Sequence, residues 1–136
     1  MTPKITLFVV FICLLAFSPS LGDPTLKGHG HKTPHGGMIE EGEGIHVELL
    51  IDKSGQPKVY LYDKAMKPMR RKDLQGRLTV KGHDGPQHTR DLKPSGSSKE
   101  GVVLVGKPIK GLTDWDRAVV SLKIKGRWTH TRFSHH

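Results

Sequence analysis

The sequence predicts an all-β fold, an immunoglobulin-like β-sandwich of about seven strands behind an N-terminal signal peptide. Three observations carry that expectation. Ile45, Val47, Leu49 and Ile51 alternate with His46, Glu48 and Leu50, the period-two pattern of a half-buried strand. Gly, Pro, Asp and Ser turns divide the rest of the chain into short segments of strand-forming residues, as a sandwich requires. Nothing after residue 22 sustains a helical period.

The elements follow in chain order. Lys4 precedes an apolar run from Ile5 to Phe17 broken only by Thr6, and Ser20 and Gly22 supply small residues ahead of Asp23. That is the layout of a cleavable secretory signal over residues 1–22. The run is too short for a spanning helix, which needs roughly 20 apolar residues, so no membrane span is expected after cleavage. The product is then periplasmic or secreted. Residues 23–34 are polar and rich in Gly and Pro, which predicts a flexible arm.

The domain proper is expected over residues 35–136. The strand at Ile45–Ile51 turns at Ser54-Gly55 into Lys58–Asp63, forming a hairpin. Further strands are expected at Arg77–Lys81, His88–Leu92, Val102–Val105, Ala118–Lys125 and Arg127–Phe133. Phe133 is the only phenylalanine beyond the signal, so Val, Leu and Ile must supply the core. Cys13 lies inside the signal and is the one cysteine. The domain therefore has neither disulfide nor thiolate ligand and depends on packing.

Composition narrows the function. The formal net charge is +9, and Lys4 is the one charged residue of the signal. A basic balance raises the possibility of polyanion binding. The cations are spread along the sequence, however, with Arg70-Arg71-Lys72 as the one local cluster, and aromatics are few. This reads as a soluble charged surface, and no nucleic-acid partner is expected. Gly101–Lys107 matches the opening of a phosphate-binding loop. Pro108 stands where Ser or Thr would bind magnesium, and the loop positions are strand formers, so the match is fortuitous. No nucleophile elbow or His-Glu-x-x-His motif occurs, and no enzyme is expected.

Histidine is the unusual feature. All nine lie beyond the signal, and neutral imidazole is the commonest metal ligand. With no cysteine, such a site would join His to Asp, Glu or Met and suit copper, zinc or nickel. His29 and His31 fall in the arm and read as solvated. His46 and Glu48 leave one face of a strand, a face that otherwise reads as wet. His35 precedes Gly36-Gly37, which free the backbone to bend toward that strand. If the segment after Gly37 pairs beside it, His35 approaches His46 and Glu48. His130, His135 and His136 are the further candidates. His83 and His88 flank an Asp-Gly-Pro turn and read as surface residues.

The runs Pro34-His35-Gly36-Gly37, Gly44-Ile45-His46-Val47-Glu48-Leu49 and Val59-Tyr60-Leu61-Tyr62-Asp63 resemble a small bacterial periplasmic domain. That domain occurs alone or in the N-terminal part of periplasmic adaptor proteins of heavy-metal efflux pumps of the resistance–nodulation–division type. Leu92-Lys93-Pro94 and the hairpin around Gly126, with Trp128 and His130, are similar to its end. The resemblance implies a periplasmic β-sandwich that handles copper, zinc, cobalt or nickel, with efflux components of the envelope as partners. It also implies His35, His46 and Glu48 as the polar site residues, with Asp63 and His130 as weaker members. The competing expectation is a non-catalytic immunoglobulin-like module that docks on another envelope protein through a strand edge or its basic surface.

Overall fold

The computed structural model describes residues 33–71, 73–98, 101–112 and 114–135. The expected signal peptide, most of the expected arm and His136 lie outside the described residues. Eight strands form: β1 (Met38–Glu41), β2 (His46–Ile51), β3 (Pro57–Tyr62), β4 (Gln75–Gly82), β5 (Gln87–Ser98), β6 (Gly101–Val105), β7 (Trp115–Ile124) and β8 (Arg127–Ser134). Every pairing is antiparallel. Among the described residues there is no helix, and thus none long and apolar enough to cross a membrane.

The strand order is β1-β2-β3-β6-β5-β4-β7-β8, and the two end strands approach each other. The molecule is therefore all-β, as expected, with eight strands where about seven were expected, in a nearly closed, barrel-like sheet. The reason lies in β5. Gln87–Leu92 pairs with β4, whereas Lys93–Ser98 pairs with β6, so one long strand carries the sheet around a corner. Lys93-Pro94 and the following Ser-Gly residues read as a turn in sequence. Beyond Leu92, β5 has only β6 beside it, and proline is tolerated on a strand with a single neighbour. The register shifts between Ser95 and Ser98, as at a β-bulge.

The connections produce two Greek keys. β4, β5 and β6 form a meander, with β3 returning beside β6 and β7 beside β4. Alternation then fills the interior. Val47, Val59, Leu78, Leu104, Val120 and Phe133 are each at most 1 % exposed and belong to one apolar cluster. The β7–β8 hairpin closes through Lys125 and Gly126, at φ 50 and 76, the left-handed pair that matches strand twist in a two-residue turn.

Candidate functional site

The outer face of β2 and β3 contains an exception to alternation. Val47 and Leu49 point into the barrel, so Glu48 points away from it, yet Glu48 is fully buried. The segment His35-Gly36-Gly37 covers it. Gly37 lies so close to β2 that a Cβ there would stand 2.5 Å from the Leu49 carbonyl oxygen and 3.0 Å from Glu48 Cγ, and only glycine fits. After it, β1 pairs with β2 in the register Ile39↔Glu48 and Glu41↔His46, the pairing on which the approach of His35 depended.

The carboxylate is held from several directions. The backbone N–H groups of His35 and Gly37 each donate to Glu48 Oε1 at 3.0 Å. The Tyr62 hydroxyl donates to Oε2 at 2.8 Å. His35 Nδ1 lies 3.0 Å from that same oxygen and 3.0 Å from the Tyr62 oxygen. Since the tyrosine proton is directed at the carboxylate, the network assigns a proton to His35 Nδ1. The His35 ring stacks on Tyr60, with centroids 3.6 Å apart and planes 5° from parallel. Burial pushes the Glu48 carboxyl upward, but the hydrogen bonds from His35, Tyr62 and the two backbone amides outweigh it, and its pKa falls below the ordinary value.

His46 is on the same face, two residues earlier. Its Nδ1 lies 3.1 Å from the Asp63 carbonyl oxygen; a carbonyl only accepts, so Nδ1 carries the proton and Nε2 the lone pair. Asp63 thus contributes through its backbone. Its carboxylate accepts the N–H groups of Ala65 and Lys67, both at 2.9 Å, and shapes the turn after β3.

The other candidates are engaged elsewhere. His130 is exposed on β8, with Nδ1 2.7 Å from the Ser121 hydroxyl. The backbone N–H of His135 donates to the Asp116 carbonyl at 2.9 Å, and its ring packs on Trp115. His83, at the β4–β5 turn, lies 2.7 Å from Asp116 Oδ1, a contact that raises its pKa. Among the described residues, no group of three or more His, Cys, Asp or Glu side chains is placed to hold a metal ion. The three-ligand set His35, His46 and Glu48 does not take the expected form, because donors on this chain engage both Glu48 oxygens.

Sequence reasoning missed Tyr60 and Tyr62. The signal was present: they are two apart in Lys58–Asp63, and the hairpin register sets Tyr60 opposite Glu48 and Tyr62 opposite His46. Two tyrosines facing a His-x-Glu pair on an otherwise wet face mark a polar cluster. Comparisons with protein-family models, curated proteins and solved structures give no match.

Proposed function

We propose that the protein is a non-catalytic, exported binding module that takes a transition-metal ion of the copper, zinc or nickel type on His35 and His46, with Glu48 acting on His35 and not on the ion. The observation that carries this reading is the His35–Glu48 contact at 3.0 Å. Histidines that ligate metals are commonly fixed by a carboxylate or carbonyl on the other ring nitrogen, which sets both tautomer and ring orientation. Glu48 serves His35 in this way and the Asp63 carbonyl serves His46, so in both rings Nε2 is the basic nitrogen. The resemblance to efflux adaptors supports the same reading. Two imidazoles do not complete a tetrahedral shell. Water or a donor from another molecule must finish it, which suits buffering or hand-over more than permanent storage.

The test is a titration of the exported, tag-free protein with Cu²⁺, Zn²⁺ and Ni²⁺ at neutral pH. Stoichiometric binding is expected, lost in the His35→Ala/His46→Ala double variant and weakened about tenfold or more in Glu48→Gln. Affinity should fall as the pH is lowered from neutral, because protons compete with the metal for the imidazoles. Equal binding by wild type and double variant would overturn the assignment. No binding by either would leave the protein-docking module as the better account.

A further inference from the structure

The lysines and arginines that look scattered in sequence are gathered by strand register. In β4, Arg77 and Lys81 flank the inward Leu78 and Val80 and therefore point outward. Register places Arg117 opposite Lys81, Ser121 opposite Arg77 and Lys123 opposite Gln75 on β7, and Arg132 opposite Val119 on β8. On β5, Asp91 is opposite Arg77, and Lys93 follows with the same parity. The outer face of β5-β4-β7-β8 thus carries six cations, Arg77, Lys81, Lys93, Arg117, Lys123 and Arg132. Asp91 is the carboxylate in the middle of this face, 3.4 Å from Arg77; Asp116 in β7, held by His83, and Asp73 ahead of β4, held by Arg71, lie at its two ends. Trp128 is cross-strand from Lys123 at the corner of this face and is 47 % exposed. Lys125 and Arg127 adjoin it in the hairpin.

We propose that this face docks the protein on an anionic lipid surface, with the cations over headgroup phosphates and Trp128 in the interfacial layer. The charges spread over four neighbouring strands, a two-dimensional array that matches a broad charged plane better than one linear polymer. Neighbouring strands lie about 4.8 Å apart, so the array is dense. A face built for single-stranded nucleic acid carries several aromatic rings on which bases stack; this one presents a single indole. Tryptophan favours the membrane–water boundary, where its ring is buried and its N–H stays wet. The inference is independent of the metal reading, because it uses the opposite half of the strand order from His35 and His46.

The experiment is co-sedimentation of the exported protein with vesicles of phosphatidylglycerol and phosphatidylcholine, and with vesicles of phosphatidylcholine alone. Tryptophan emission is followed in parallel. Trp115 is 9 % exposed, so a blue shift on binding reports Trp128. Binding to the anionic vesicles only, reversed by high salt and accompanied by that shift, is expected. The Lys81→Gln/Arg117→Gln/Arg132→Gln variant removes exposed side chains only, and its thermal melt verifies that it folds. It should bind about 100-fold more weakly, from roughly fivefold per cation near an anionic surface. Equal binding to both vesicle types, an unaffected triple variant, or binding without the emission shift would overturn the proposal. So would retention on heparin or DNA without vesicle binding, which would identify a linear polyanion as the partner.

Discussion

Glu48 is a carboxylate in a place where an unpaired charge would lose several kcal/mol of solvation. Two amide protons, a phenol and an imidazole offset that loss. Glu48→Gln keeps the shape but removes the charge and brings amide protons toward existing donors. It should lower stability by about 3 kcal/mol, read as a shift in urea midpoint. The pH dependence has a definite sign. The folded pKa is depressed, so the stabilisation is complete above the ordinary glutamate value of about 4.3. It is lost as pH falls through the folded pKa. Urea midpoints measured from pH 7 to pH 3 should show a steeper acid decline in wild type than in Glu48→Gln; identical slopes would remove the charged role assigned to Glu48. The encounter of His35 with Glu48 was legible from Gly36-Gly37 and the His-x-Glu spacing. The carboxylate's role was not, because a sequence does not display which donors converge on an acceptor. Tyr62 decides the matter from the neighbouring strand.

At the level of elements, alternation made β2, β3, β4, β7 and β8 readable, and β6 stood out as a short run of apolar residues, Val102–Val105. β1 could be inferred only as a condition for His35 to reach β2. The second half of β5 was hidden because Pro94, Ser95 and Gly96 carry turn chemistry, and the edge position that tolerates them is a tertiary fact. β1 is short, and the Gly37 crossing fixes its start. A methyl group at Gly37 would meet backbone atoms of Leu49 that have little freedom to yield. Gly37→Ala should therefore cost about 2 kcal/mol, on the order of 10 °C in Tm. Amide exchange should accelerate selectively in Met38–Glu41. Unchanged protection there would mean that the crossing does not anchor β1.

For the whole molecule, two Greek keys join segments distant in the chain, and β3 must await β6 before its second edge is paired. Such non-local pairing is slow to nucleate, so refolding followed by Trp115 emission should take between about 10 ms and 10 s. A submillisecond phase carrying the full amplitude would contradict this topology. The basic face belongs to the same scale. No window of sequence contains it, since Arg77 and Arg132 come onto one face only through two ladders.

The barrel's near-closure has one further consequence. β1 and β8 are the only strands at the ends of the sheet, and each lies against the other. Their unsatisfied backbone groups are thereby kept from templating other chains, the hazard of any open sheet margin. That shielding depends on β1 staying in place, and β1 is secured at its start by the loop over Glu48. Loss of the clasp would therefore do more than reduce folding free energy. It would uncover an unpaired sheet margin on every copy, a template on which further chains could add.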